Sequence, residues 1–256
     1  MKIITSVNNS QVKAWSKLNT KKGRLKQGKY LLDGWHLVKE AIRTHEPIET
    51  IMVQPDFKHL QEIEVPEGAD LIQITDNVVK HLSDTKHPQG VMAVIKIPEQ
   101  QEIAPEDVTG AWLFMDNVQD PGNIGTMVRT ADAAGFSGIV FGDGTADVYN
   151  PKIVRSMQGS QFHLKMVTAP LEPWIKAFKA QSKPVFGTEL NPDARPYDQV
   201  GKHTDFALIM GNEGNGMNKD LLKQTSLNLY IPIIGKAESL NVAVAAGVLM
   251  FQLKSN

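Results

Sequence analysis

Cysteine is absent from the 256 residues, which excludes disulfide staples and thiolate-held metals and points to a reducing compartment. Long apolar runs are absent too. The most apolar stretch, Val242 to Phe251, falls short of the roughly 18–20 residues that a membrane-spanning helix needs. The opening MKIITSVNNSQVKAW holds no apolar run between a basic end and a small-residue cleavage site. No secretory signal is expected, and a cytoplasmic location is the default. The seven histidines show no metal-ligand spacing, so no metal site is expected. Neither a Gly-x-Ser-x-Gly nucleophile turn nor a phosphate-cradling loop ending in Gly-Lys-Ser/Thr occurs. Internal repeats and low-complexity tracts are also missing.

What is present begins with an asymmetry of charge. The formal net charge is -1, yet residues 1–30 carry Lys2, Lys13, Lys17, Lys21, Lys22, Arg24, Lys26 and Lys29 and no acid. The remainder then holds 19 basic against 28 acidic residues. A basic segment on an acidic body fits a polyanionic partner, or a solvated N-terminal stretch.

Residues 98–110, PEQQEIAPEDVTG, combine two prolines with four acids and read as a linker between domains at 1–97 and 111–256. Before it, Leu37, Val38, Ala41 and Ile42 share a helix face, and Tyr30–Leu32, Thr50–Val53 and Val91–Ile97 read as strands. This predicts a small α/β domain. After it, AWLFMD (111–116) and GIVFG (138–142) read as strands. Between them Ile124, Met127, Val128 and Ala131 follow helical spacing, with Gly135 as the stop. Asn150 followed by Pro151 reads as a cap and first helical position. Strands HLKMV, PVFGT, FALIM and LNLYI follow. Such alternation predicts a mostly parallel sheet covered by helices on both faces. The last helix, from Ser239 to about Leu253, has almost no polar face and needs cover on every side. A second copy of the chain, or burial within one chain, would supply it.

Ligands of α/β sheets bind beyond the carboxyl ends of strands, and three loops there carry unusual residues. In DNVQDPGNIGTMVRTADAAGF (116–136), Asn123 stands at a helix start and Arg129 lies among apolar neighbours. A guanidinium stem crossing a packed region needs an anion. Either a bound phosphate or an acid such as Asp120 or Asp132 would serve. In GNEGNGM (211–217), three glycines allow close backbone approach, and Glu213 stands between two of them. The order Gly-x-x-Gly-x-Gly is not that of dinucleotide folds, which disfavours a nicotinamide or flavin oxidoreductase. In IPIIGKAESLN (231–241), Ser239 is the expected helix cap. Asn241 is then a buried amide in need of partners. Ile231, Ile233 and Leu240 would suit a flat uncharged ring, or the core.

Taken together, the three loops resemble the signature motifs of the SpoU (TrmH) family of RNA methyltransferases over 111–253. The first motif is carried by Asp120-Pro121-Gly122-Asn123-Ile124-Gly125 and Arg129-Thr130-Ala131, the second by Gly211, Glu213, Gly214 and Gly216. The third is carried by Ile231-Pro232 and Glu238-Ser239-Leu240-Asn241. Asn212 and Ile233 depart mildly from the family pattern. Residues 8–13, Lys21-Lys22-Gly23-Arg24, Asp33-Gly34 and His87-Pro88-Gln89-Gly90 resemble the family's N-terminal substrate-binding domain, itself similar to ribosomal RNA-binding proteins of the L30e type. The resemblance implies an α/β fold with a deep C-terminal trefoil knot and a homodimer. It also implies methyl transfer from S-adenosylmethionine to a ribose 2′-hydroxyl, in ribosomal RNA rather than transfer RNA, without metal. It places Gly211, Ile231, Leu240, Glu189, Asn212, Gly214 and Ile233 at the cofactor. Around the reacting group it places Arg129, Asn123, Glu213, Ser239 and Asn241. Lys13, Lys21, Lys22, Arg24, Lys26 and Lys29 are the expected RNA contacts. Ribose methylation of transfer RNA, methylation of a base nitrogen, or RNA binding without catalysis are the alternatives.

Overall fold

The computed structural model describes residues 2–98 and 103–255. The chain divides into two compact units, Met1–Glu99 with Asp147–Phe162, and Gln100–Ala146 with His163–Asn256. The elements run in order β1 (Lys2–Ile4), α1 (Ser10–Ser16), α2 (Lys21–Gln27), β2 (Lys29–Asp33), α3 (Trp35–Arg43), β3 (Ile48–Val53), β4 (Asp70–Ile74), α4 (Asp76–Leu82) and β5 (Val91–Lys96). Then come β6 (Ala111–Met115), α5 (Pro121–Ala133), β7 (Gly138–Phe141), α6 (Pro151–Met157), β8 (Lys165–Thr168), α7 (Leu171–Ala180) and β9 (Val185–Thr188). The chain closes with β10 (Arg195–Pro196), β11 (Phe206–Met210), α8 (Lys219–Leu222), β12 (Leu227–Tyr230) and α9 (Val242–Leu253).

The first unit holds a mixed sheet in the order β1-β4-β3-β5-β2, with β1 and β3 parallel to β4 and β5 antiparallel to β3 and β2. Its helices start where short polar side chains take up free N–H groups: Asn9 accepts from Gln11 N at 2.8 Å, and Thr20 accepts from Gly23 N at 3.1 Å. Val12, Trp15, Leu18, Met52, Ile74, Val79 and Leu82 form its core. Burying each such side chain contributes roughly 2 kcal/mol before the cost of ordering the chain.

The excursion Asp147–Phe162 joins this unit, although it lies within the stretch 111–256 expected to form one domain. Tyr149 packs against Tyr30 with ring centroids 4.9 Å apart, and Asp147 pairs with Arg24 at 2.6 Å. Asn150 caps α6 as expected, accepting from Lys152 N at 2.9 Å. The Arg24 pair corrects one expected RNA contact. Arg24 is only 3% exposed and gives a second hydrogen bond to the Leu18 carbonyl at 2.8 Å. Its charge is committed inside the protein. Lys29 is likewise engaged, with Glu49 at 2.7 Å. Lys13, Lys21, Lys22 and Lys26 are exposed. Arg24→Ala strands the Asp147 carboxylate beside a cavity and is expected to destabilise the protein by about 3 kcal/mol in urea unfolding. A loss below about 1 kcal/mol, the scale of surface pairs, would return Arg24 to the exposed basic set.

The second unit is a parallel sheet in the order β10-β12-β9-β11-β6-β7-β8. Trp112, Phe114, Trp174, Ile175, Phe178, Val185, Ile209 and Leu221 fill a core that includes α7. α5 and α9 pack against each other, burying Ile124, Met127, Val128 and Ala131 with Ala246, Leu249, Met250 and Leu253. The expected strands occur within a residue or two of their limits, and β1, α1, α2, β4, α4 and β10 are additional. Residues 99–102 of the expected linker lie outside the described residues. Its second half packs on the second unit: Ile103 and Val108 join that core, and Gly110 N donates to Asp205 at 2.7 Å.

The final helix differs from expectation in its start. It begins at Val242, and its cap is Asn241, not Ser239. Within one chain it is not covered all round. Val244 is 55% and Phe251 58% exposed, with half-buried Val248 between them at helical spacing.

Candidate active site

In a parallel sheet all strands end on one edge, so β6, β11, β9 and β12 deliver their following loops to the same side. After β6, Asp116 is nearly buried, and one of its oxygens accepts from Asn218 N at 2.6 Å. Burial raises its pKa, opposed by that N–H. Asn117 follows in the left-handed region at φ 56, which asparagine tolerates better than most residues. The bend turns the chain into α5, where Pro121 takes the first position and Asp120 caps by accepting from Asn123 N at 2.8 Å.

The loop after β11 folds back on itself. Asn212 and Gly216 exchange two backbone hydrogen bonds of 2.9 Å. A Cβ on Gly211 would lie 2.4 Å from Gly216 C and Met217 N, so only glycine permits this approach. The Asn212 side chain is used inside the protein: its oxygen accepts from Gly214 N and Asn215 N at 3.0 Å, and its amide donates to the Asn117 carbonyl at 2.8 Å.

Glu213 at the tip reaches across to the first loop. Its carboxylate accepts from Asp120 N at 2.9 Å, Gln119 N at 3.2 Å and the Asn123 amide at 3.2 Å. Burial alone would raise its pKa, but the Asp120 N–H and the other donors outweigh it and hold the carboxyl below its ordinary range. Glu213 is therefore an ionised clamp, although it remains exposed. Asn123 passes the connection on, its oxygen accepting from the Asn241 amide at 3.0 Å. The Asn241 oxygen in turn caps α9, accepting from Ala243 N at 2.9 Å and Val244 N at 3.3 Å. One hydrogen-bonded chain, Glu213–Asn123–Asn241, thus joins all three loops.

Arg129 and Ser239 stand outside that chain. Arg129 is exposed, on a face shared with Gly122 and Thr126, so the expected packed stem is corrected. Neither acid considered for it takes it: Asp120 caps α5, and Asp132 pairs with His163 at 2.8 Å. Among the described residues the side chains of Arg129 and Ser239 have no hydrogen-bond or ion-pair partner. Asn117 and Gln119, which also build the site, were not legible in advance; an Asp-Asn pair at a strand end was the available signal.

Of the residues expected at the cofactor, Ile233 and Leu240 are apolar yet 39% and 38% exposed. Ile231 is half-buried, and Glu189 at the end of β9 holds Asn191 at 2.9 Å. Exposed apolar side chains, glycine backbone and one carboxylate on a shared edge fit an adenosyl group with ribose hydroxyls. A 730 Å³ cavity lies on the other flank of the 211–217 loop and is lined by Asp116, Asp143, Glu172 and Asp220. Its acids suit neither phosphate nor the expected cofactor residues, of which only Asn212 contributes. Among the described residues no group of three or more His, Asp or Glu side chains is placed to hold a metal.

Comparisons with known proteins bear on the family of the chain. Residues 9–93 match an MRM3-like substrate binding domain. The 23S rRNA (guanosine(2553)-2'-O)-methyltransferase RlmP of Bacillus subtilis (strain 168) is 43% identical over 254 residues, 99% of this chain and 100% of that protein. The 23S rRNA (uridine(2479)-2'-O)-methyltransferase of Streptomyces viridochromogenes is 29% identical over 262 residues, 95% of this chain and 89% of that one. An AdoMet-bound rRNA methyltransferase from Sinorhizobium meliloti has a TM-score of 0.87 at 30% identity, covering 98% of this chain and 96% of its own. Residues 110–251 match the SpoU rRNA Methylase family, and with three motif loops joined through Glu213, Asn123 and Asn241 the chain belongs to that family.

Proposed function

We propose that this chain transfers the methyl group of S-adenosylmethionine to the 2′-hydroxyl of one ribose in 23S ribosomal RNA. The observation that carries this reading is the Glu213–Asn123–Asn241 chain, which fixes three loops at one sheet edge and leaves Arg129 exposed beside them. Bound S-adenosylmethionine supplies a methyl group already made electrophilic by its sulfonium, and no metal enters the proposed step. Ile231, Ile233 and Leu240 would cover the adenine, the Gly211–Gly214 backbone would approach it, and Glu189 would accept from ribose hydroxyls.

The hydrogen bonding divides the remaining roles. Asn123 spends its carboxamide on Glu213 and Asn241, and Glu213 spends both oxygens on donors of the first loop. Both are positioning residues. A carboxylate held below its ordinary pKa is also a poor proton acceptor. Arg129 presents a planar guanidinium fork with several N–H donors. Its role is to clamp the phosphate next to the target ribose and to stabilise charge developing on the 2′-oxygen. Ser239, exposed and uncommitted, orients the ribose.

The deep C-terminal knot belongs to this reading. β12 lies beyond β9 from β11, and the chain then returns to pack α9 against α5. The stripe Val244, Val248 and Phe251 on α9 is the surface for a second copy. The first unit, an L30e-type RNA-binding domain in this reading, presents Lys13, Lys21, Lys22 and Lys26 to RNA phosphates. In this reading a ribosomal RNA substrate goes with a cytoplasmic location. Among the described residues no helix is long and apolar enough to cross a membrane.

The test is transfer from methyl-labelled S-adenosylmethionine to unmodified 23S ribosomal RNA, followed by nuclease digestion and mass spectrometry. A single 2′-O-methyl nucleoside is expected. A methylated base, or cofactor binding without transfer, would overturn the proposal.

A further inference from the structure

The first unit has an aromatic cleft that neither the methyl-transfer site nor the basic residues account for. A 490 Å³ cavity opens where α3 begins and β3 ends, walled by Trp35, Phe57 and His59. Trp35 and His59 lie nearly parallel, 9° between planes and 5.5 Å between centroids. Phe57 meets Trp35 edge-on at 5.5 Å and His59 at 5.7 Å. All three rings are only half-buried. They stand outside the unit's core cluster, which is complete without them. Three partly exposed rings at one place are costly in water unless something covers them.

The surroundings specify the cover. Lys39 places its ammonium 5.6 Å from the centre of the Trp35 ring. Lys58, at the mouth, is exposed and makes no ion pair with any described residue. Two carboxamides also line the cavity. Gln89 uses its oxygen to accept from Trp35 N at 2.8 Å, and its amide hydrogens have no partner among the described residues. The Gln54 carboxamide has none either. Asp56 shares the lining, and its carboxylate would accept from an amino group on a base edge. A flat π-face, unspent amides for a polar edge and a cation for a phosphate are the three recognition elements of an unpaired nucleotide. An apolar peptide would leave the amides unmatched, and duplex RNA would not expose a base face.

We infer that this cleft receives one unpaired nucleobase of the RNA, stacked on the Trp35, Phe57 and His59 platform, with its edge met by Gln54 and Gln89 and its phosphate by Lys58. The inference rests on the reading that the chain acts on RNA. It adds a base-stacking subsite, remote in sequence from the methyl-transfer motifs, through which single-stranded regions are favoured over duplex.

The test uses the full chain with a fluorescently labelled single-stranded oligoribonucleotide of mixed sequence, and a duplex of the same length as comparison. Trp35→Ala is expected to weaken single-strand binding about tenfold or more, the scale for losing one stacked base. The slope of affinity against salt is expected to stay as it was, because no phosphate contact is lost. Trp35→Phe is expected to restore most of the affinity. Ultraviolet crosslinking of the unaltered protein covers the case in which Trp35→Ala does not fold: RNA-linked peptides should contain Trp35 or Phe57–His59. Equal affinity of Trp35→Ala and parent, or crosslinks confined to other segments, would overturn the inference while leaving methyl transfer intact. Absence of any RNA binding by the parent would overturn both.

Discussion

Arg129→Ala is expected to leave a folded protein that binds S-adenosylmethionine normally and transfers methyl groups about 10²-fold more slowly or worse, the scale for removing one electrostatic stabiliser. The reason is its isolation. Asp120 is occupied as the α5 cap and Asp132 is paired with His163, so no acid among the described residues spends the Arg129 charge. Removing an exposed and unpaired guanidinium costs the fold little. Its loss is felt only when a phosphate and a developing oxyanion are present. Arg129→Lys keeps the charge but not the planar fork, and is expected to recover only part of the rate. Single-turnover methylation, with cofactor affinity measured by calorimetry on the same preparations, checks the claim. Near-normal single-turnover rates for Arg129→Ala would refute it.

Gly211→Ala is expected to do the opposite, removing cofactor binding and catalysis together. The added methyl would lie 2.4 Å from backbone atoms of Gly216 and Met217, and backbone cannot step aside as a flexible side chain can. The end of β11 must then part from the returning strand, breaking the Asn212–Gly216 pair. The tip that carries Glu213 moves with it, so Asn123 and the Asp120 N–H lose their acceptor. A displacement of about 1 Å at such a site can cost about 10²-fold in rate. The expected result is S-adenosylmethionine affinity at least about tenfold weaker, with transfer reduced more than in Arg129→Ala. Gly201→Ala is the control. A methyl there meets nothing within 4 Å, and the variant should match the parent. Parent-like cofactor affinity in Gly211→Ala would show that the loop tolerates opening and that the backbone clash does not govern the site.

The two variants separate what the loops share from what one side chain does. Glu213, Asn123 and Asn241 hold one another, so in the proposed mechanism each acts on rate through position. In the same proposal Arg129 acts on the reacting atoms directly. The difference is invisible in the motif letters, where all four stand simply as polar residues of the three motifs. Only their partners distinguish a residue that is spent from one that is free.

Local order alone determined much of this protein. Apolar runs placed the strands, 3.6-residue spacing placed α3 and α5, and Asn150-Pro151 placed the start of α6, because strand burial, helix faces and caps are encoded within a few residues of each other. The three loops were legible for the same reason: each follows an apolar strand and holds residues a simple turn does not need. Tertiary structure decided the rest. The cap of α9 moved from Ser239 to Asn241 because Asn241 can cap with its oxygen while its amide reaches Asn123, 118 positions earlier. Arg24 left the basic set because Asp147, 123 positions away, returns to pair with it. Glu213 became a clamp because donors some 90 positions away converge on it. Hydrogen bonds over such separations depend on how strands are ordered in the sheet. Strand order leaves no trace in local periodicity, so these partners emerge only when the chain is folded.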